Sequence, residues 1–255
     1  MAIRLVTNSY SQNKSQQYRI SIREHSNGYS FSIVDTAAKE CVALAQVDSY
    51  KELTEDPLVR EDYGEFNIVL DGAPFSLVPE ALFVSDNAAC YLPISSQHQK
   101  RAVVAQTAIT DFAMVGLCNR RGCLEFANNS DRVEYTHPLF AMLKQVGHQL
   151  RKTVFVDIQK EQMHLLVVDY QKVLLANTFA IQTNEDAFYY LMTAFQSLEL
   201  DVEKVPVVVS GEVNSQLMDT LKEYIRIVSL ASPTTNTLWS RELDANVYAK
   251  FSLIV

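Results

Sequence analysis

The most constraining feature of this chain is an order of predicted elements that occurs twice. Each occurrence has three strands with short polar turns, then a helical segment, then a short apolar strand that ends at a single glycine. The strands are predicted at residues 18–24, 29–35, 41–47 and 66–70, and again at 153–157, 163–170, 173–181 and 205–209. The glycines, Gly72 and Gly211, lie 139 positions apart, and the second strands end at Asp35 and Asp169, 134 positions apart. This agreement in order and spacing predicts an internal duplication.

The remaining segments connect and extend the two copies. Residues 1–17 are polar and are expected to be a loose lead-in, and residues 48–65 are acidic and helix-prone. Further strands are predicted at 112–117 and 132–136, with a helix between them. His137-Pro138 then opens a helix, because proline fits the first turn. The boundary is expected near residue 151, which gives domains 1–151 and 152–255.

Composition excludes several classes of function. The chain has 7 glycines in 255 residues, all standing singly, so it has neither a GxGxxG nor a GxxxxGK[ST] phosphate loop. A net charge of −8 argues against binding to nucleic acid, which needs a basic face. The four cysteines show no CxxC spacing, and no segment is apolar enough for a membrane span or a secretory signal. We therefore expect a cytoplasmic protein with reduced thiols.

The order of three antiparallel strands followed by alternating helix and strand resembles the ribonuclease-H-like fold. Two tandem copies resemble the actin-like ATPase superfamily, and more narrowly an uncharacterised bacterial family with this duplicated fold. The residues that carry this resemblance are the segment 74–83 (PFSLVPEALF), the His137-Pro138 helix entry and the strand triplet that starts at Thr153. The resemblance implies an α/β protein with two ribonuclease-H-like subdomains and a cleft between them.

The same resemblance implies where a nucleotide would bind. In actin-like ATPases each half supplies a phosphate-binding turn, commonly Asp-x-Gly, whose aspartate holds metal-bound water. In this chain the first such turn has only Glu24 and Gly28, and the second has Asp157 followed by Gln159 where the glycine is expected. The candidate cofactor-binding residues are Asp157, Lys160, Ser210, Gly211 and Glu212. Asp157 is also the weak catalytic candidate, although the favoured interpretation is that Asp157 is an ordinary acid at a strand end and Gly211 an ordinary turn glycine.

The degraded turns favour a non-catalytic actin-like protein, a degenerate ATPase that works through protein contacts. The alternative is an ATP-binding protein, a small-molecule kinase or an ATPase with atypical phosphate loops, which would use ATP and magnesium. No metal site is predicted, because the five histidines show no HExxH or zinc spacing. Self-association and an unidentified protein partner are both compatible with the sequence, with the acidic segment 52–65 and the apolar stretch 247–255 as candidate surfaces.

Overall fold

The computed structural model of the chain describes residues 3–25, 27–71, 74–94, 102–106, 112–118, 133–146, 151–170, 172–233 and 244–255. The chain forms two compact units. The first consists mainly of Met1–Phe140 with Ile254–Val255, and the second mainly of Ala141–Thr234 with Arg241–Leu253. Both units combine strands and helices, which confirms the predicted α/β class. Gly72 and the helix predicted between residues 117 and 132 lie outside the described residues.

The first unit contains two sheets. Its strands are β1 (Arg4–Val6), β2 (Tyr18–His25), β3 (Gly28–Asp35), β4 (Glu40–Val47), β5 (Glu65–Val69), β6 (Phe75–Pro79), β7 (Ala102–Gln106), β8 (Phe112–Cys118) and β9 (Val133–Thr136). The main sheet has the order β1-β4-β3-β2-β5-β9, and the smaller one has the order β6-β8-β7. In the main sheet β2, β5 and β9 run parallel, whereas β3 and β4 are antiparallel to their neighbours. The smaller sheet is wholly antiparallel.

The second unit contains one five-stranded sheet and most of the helical structure. Its strands are β10 (Thr153–Ile158), β11 (Gln162–Asp169), β12 (Lys172–Ala180), β13 (Val207–Gly211) and β14 (Val228–Leu230), in the order β12-β11-β10-β13-β14. The α-helices of the described residues are α1 (Tyr50–Glu55) in the first unit, α2 (Pro138–Val146), which spans the division, and α3 (Asn184–Ser197), α4 (Ser215–Tyr224) and α5 (Ala245–Phe251) in the second. None of the helices in these residues is both long and apolar enough to cross a membrane.

The two large sheets share an order of strands. If β1 is set aside, each begins with an antiparallel triplet, β4-β3-β2 or β12-β11-β10, and continues with two parallel strands, β5-β9 or β13-β14. In the second unit, the sheet buries one face against α3 and α4. The apolar residues of this core include Val154, Val156, Met163, Leu165, Val207, Leu191, Phe195, Leu217 and Leu221.

Helix α3 begins with a capping box. The Thr183 side chain accepts a hydrogen bond from the Asp186 backbone N–H, and the Asp186 carboxylate accepts one from the Thr183 backbone N–H. This capping box satisfies two amide groups that the helix leaves without an internal partner. The end of α5 and the C-terminal residues after it are packed, since Phe251, Leu253 and Ile254 are buried.

Two predictions for the first unit are wrong. The lead-in at residues 1–17 is not loose: β1 pairs antiparallel with β4, and Gln12–Gln17 forms a 3-10 helix. The acidic segment 48–65 contains only six helical residues, those of α1, which ends where Asp56 precedes Pro57. The residue before proline is disfavoured in the helical region, and Asp56 instead forms an ion pair with Arg4.

Candidate functional site

The ends of β10 and β13 form the candidate site of the second unit. Ligands of open α/β sheets bind beyond the carboxyl ends of parallel strands. In the pairing of β10 with β13, Asp157 lies opposite Ser210 and Ile158 lies opposite Gly211. Three of the five predicted site residues, Asp157, Ser210 and Gly211, are therefore brought together at the carboxyl ends of two neighbouring parallel strands.

The Asp157 carboxylate is fully enclosed by neighbouring side chains. It is 0% exposed, the Ser210 hydroxyl donates to Oδ1 at 2.9 Å, and the Gln159 amide Nε2 lies 3.3 Å from Oδ2 as donor. Gln159 and Ser210 are themselves buried. Both carboxylate oxygens thus accept hydrogen bonds inside the protein, as a buried charge requires.

The other two predicted residues, Lys160 and Glu212, follow the ends of β10 and β13, and neither is buried. Lys160 is exposed in the turn between β10 and β11, which is tight because the Gln159 backbone N–H donates to the carbonyl of Gln162 at 2.8 Å. Glu212 is partly exposed, and its backbone N–H donates to the Ile158 carbonyl at 2.7 Å. The backbone amide of Glu212 is therefore already bonded within the protein.

Gly211 is fixed by its conformation and by a close approach. Its φ is +88°, in the left-handed region that side chains disfavour, and a Cβ at this position would lie 2.1 Å from the Ile158 carbonyl oxygen. The absence of a side chain at Gly211 therefore allows the end of β13 to pack closely against the end of β10. This is a structural reason for the glycine that requires no nucleotide.

The corresponding edge of the first unit contains a buried ion pair that sequence reasoning missed. Arg23 near the end of β2 and Asp71 just after β5 have side chains that are 1% and 0% exposed. The Arg23 Nε donates to Asp71 Oδ2 at 2.7 Å, and its Nη2 lies 2.6 Å from the same oxygen. The sequence gives no signal for this pair, because alternation places Arg23 with Ser21 on the face opposite Ile20 and Ile22, which is expected to face solvent.

Two further ionisable groups lie beside this ion pair. The Nδ1 atom of His25 is 4.0 Å from Asp71 Oδ2, and its Nε2 atom is 2.8 Å from the Ser30 hydroxyl. Burial raises the pKa of Glu24 above its ordinary value; the hydrogen bond from the Tyr29 hydroxyl acts in the opposite direction, and the charge of Asp71 adds to the increase. An anion arriving at this edge would therefore meet two carboxylates and an arginine that is already paired.

The raised pKa of Glu24 predicts how the Glu24→Gln variant responds to pH. The folded state binds the proton of Glu24 more tightly than the unfolded chain, so its contribution to stability is full below the ordinary pKa of 4.5 and is lost as the pH rises through the folded value. Glutamine keeps an acceptor for Tyr29 without the charge. Denaturant unfolding at pH 4 and pH 7 should therefore show the variant gaining stability relative to wild type at the higher pH. An unchanged difference would contradict this account of Glu24.

The described residues contain no group of three or more histidine, cysteine, aspartate or glutamate side chains arranged to hold a metal ion. In each unit, the carboxyl ends of the parallel strands instead carry a buried carboxylate, Asp71 or Asp157, which accepts hydrogen bonds from other side chains of the protein. The arrangement is suited to holding the strand ends together.

Comparison of the fold identifies similar solved structures. A Bacteroides thetaiotaomicron protein with an actin-like ATPase fold and unknown function matches with a TM-score of 0.71 and 19% identity, over 88% of this chain and 94% of that one. The PilM-PilN type IV pilus biogenesis complex matches with a TM-score of 0.56 and 12% identity, over 92% and 97%. The cytoplasmic domain of EpsL, from the type II secretion system of Vibrio cholerae, matches with a TM-score of 0.50 and 13% identity, over 92% and 94%. The actin-like ATPase fold predicted from the sequence is thus confirmed.

Sequence comparison adds the family. No curated protein matches the chain. A family model with the description "Protein of unknown function (DUF3822)" matches residues 7–228, most of the chain's 255 residues. The chain is therefore a member of the DUF3822 family.

Proposed function

We propose that this protein is a non-catalytic member of the actin-like fold, located in the cytoplasm, that acts through contacts with other proteins. The observation that carries the proposal is the state of Asp157. Its carboxylate is 0% exposed, and both oxygens accept hydrogen bonds from Ser210 and Gln159.

A catalytic carboxylate in this position needs different surroundings. To hold metal-bound water next to a phosphate, the oxygens must be reachable from the solvent side, and backbone amides must point at the phosphate. Here the side chain of Gln159 covers one oxygen, and the amide of Glu212 is bonded to Ile158. To bind a nucleotide here, the protein would have to break the contact of Gln159 with Asp157 or that of Glu212 with Ile158, and the strand ends would have to rearrange.

The repeated strand order supports a second part of the proposal, an origin by internal duplication. Seven glycines and low identity between the two sheets are what we expect if the ancestral phosphate turns were lost after that duplication. The division into domains 1–151 and 152–255 remains a prediction. So does a cleft between them, with Asp157, Lys160, Ser210, Gly211 and Glu212 as its candidate cofactor-binding residues.

Two of the similar structures come from protein assemblies. PilM is described in a pilus biogenesis complex with PilN, and EpsL as an inner membrane component of a secretion system. These descriptions support a role in protein contacts for this chain, including self-association, without identifying a partner.

Thermal unfolding with and without Mg-ATP tests the proposal. A ligand that binds only the folded state at about 100 times its Kd stabilises by about 2.7 kcal/mol, which shifts the Tm by several degrees. We expect no shift with millimolar Mg-ATP, either for the wild type or for Asp157→Asn. A shift in the wild type that is absent in Asp157→Asn would favour the ATP-binding alternative and overturn the proposal.

A further inference from the structure

The outer edge of the second unit's sheet is formed by β12. Within the described residues, β12 pairs only with β11. In the first unit the strand in the same position, β4, is covered by β1, which pairs antiparallel with it from Arg4↔Ala45 to Val6↔Ala43. The fold therefore accepts an additional antiparallel strand at this position in one sheet, whereas no described residue pairs there in the other.

The composition of β12 is unusual for an open edge. The residues that follow Lys172, from Val173 to Ala180, include neither a charged residue nor a proline. Edge strands are normally protected by such residues, because alternate N–H and C=O groups point away from the sheet and can pair with another chain. An irregularity lies opposite Val167 and Val168, but Leu175 to Phe179 keep a regular register with β11. This segment can therefore accept an extended strand.

We propose that β12 pairs antiparallel with β12 of a second copy of this chain, about a two-fold axis at Ala176. A two-fold contact must be self-complementary, since the same segment supplies both sides. With Ala176 opposite itself, Leu175 meets Asn177 within the regular part of the strand, so no like charges are opposed there. The inference rests on the proposed function in one respect, because it names one of the protein contacts proposed above.

Charges at the two ends of β12 favour this antiparallel orientation. Lys172 is exposed at the start of the strand. At the other end, the Ile181 backbone N–H donates to the carbonyl of Glu161 at 3.0 Å, which places this exposed acid beside the end of β12. Antiparallel pairing directs Lys172 of one copy toward the Glu161 end of the other, whereas parallel pairing would oppose two lysines. The charges therefore favour the antiparallel orientation, which gives a two-fold symmetric dimer.

The helix-facing side of β12 would gain apolar cover in the same dimer. Phe179 already stacks on Tyr190 of α3 with ring centroids 4.4 Å apart, and the Tyr189 ring lies 5.5 Å from that of Tyr190. Tyr189 is 63% exposed. Leu175 of the second copy, opposite Asn177 and on the same face as Phe179, extends this apolar surface across the joint between the sheets.

Analytical ultracentrifugation of the full chain tests the proposal. We expect a concentration-dependent dimer for the wild type, and at least about a tenfold weaker dimer for Ala176→Lys, which places two lysines opposite each other. The matched control is Ser229→Lys, which adds the same charge to an exposed residue of β14 on the opposite edge of the same sheet. It should dimerise as the wild type does.

A second variant keeps the test decisive if Ala176→Lys does not fold. Antiparallel partners have Cα atoms about 4.5–5.5 Å apart, within the span of a disulfide, so Ala176→Cys should form a covalent dimer on mild oxidation beyond any formed by the wild type. A wild type that is monomeric throughout, a dimer that Ala176→Lys leaves unchanged, or the absence of the covalent dimer would each overturn the proposal. None of these measurements involves nucleotide, so their failure is distinguishable from failure of the proposed function.

Discussion

Replacing Asp71 with asparagine is expected to lower the free energy of unfolding by about 3–5 kcal/mol, because it leaves the Arg23 charge buried without its counter-charge. Both side chains are almost wholly inaccessible, and the pair joins the ends of β2 and β5. An exposed pair such as Lys204 and Asp201, by contrast, contributes little to stability, because water and salt screen its charges. Urea unfolding followed by circular dichroism measures the difference.

The double variant Arg23→Met, Asp71→Leu is the control for this prediction. Replacing a whole buried ion pair with apolar residues of similar size is often neutral or stabilising. The double variant should therefore recover most of the stability that Asp71→Asn loses. A double variant at least as unstable as the single one would show that burial of an unpaired charge is not the cause.

Replacing Gly211 with alanine is expected to cost about 2–5 kcal/mol of folding free energy. The left-handed backbone costs a side chain about 1–2 kcal/mol, and forcing a group into a packed site adds about 1–3 kcal/mol. The added Cβ would lie 2.1 Å from the Ile158 carbonyl oxygen, so the ends of β10 and β13 must separate. Thermal or denaturant unfolding of the variant measures the cost.

Gly116 provides the matched control for Gly211. It is also buried, but the nearest heavy atoms to a Cβ at this position are 3.8 Å away, in ordinary contact. We expect Gly116→Ala to change stability by less than about 1 kcal/mol, since alanine at a compatible site also restricts the unfolded chain. Equal losses for both variants would contradict the role assigned to the contact between Gly211 and Ile158.

The sequence could predict the strand order because that order depends on local patterns. Alternation and apolar runs mark most strands of both large sheets, and the turns between them contain polar residues or Gly28. Short or isolated elements leave no such pattern. The strand β1 has three residues, and β6 lies in the segment 74–83, whose residues do not alternate clearly.

The interactions at the candidate site could not be predicted, because they depend on register between distant segments. Arg23 and Asp71 are 48 positions apart and meet only when β2 pairs in parallel with β5. The replacement of a glycine by Gln159 is visible in the sequence, but the direction of its amide toward Asp157 is not. The sequence therefore indicates only that the turn after β10 lacks a glycine. The structure shows that the side chain of Gln159 contacts Asp157 there.

The central claim is that this protein, which has an actin-like fold, does not bind nucleotide. Calorimetric titration of the full chain with Mg-ATP tests that claim most directly. Lys160→Ala is a suitable companion variant, because Lys160 is exposed and its loss should not affect folding. We predict no saturable heat at millimolar Mg-ATP for either protein. Saturable, magnesium-dependent binding in the wild type that Lys160→Ala weakens would contradict the account.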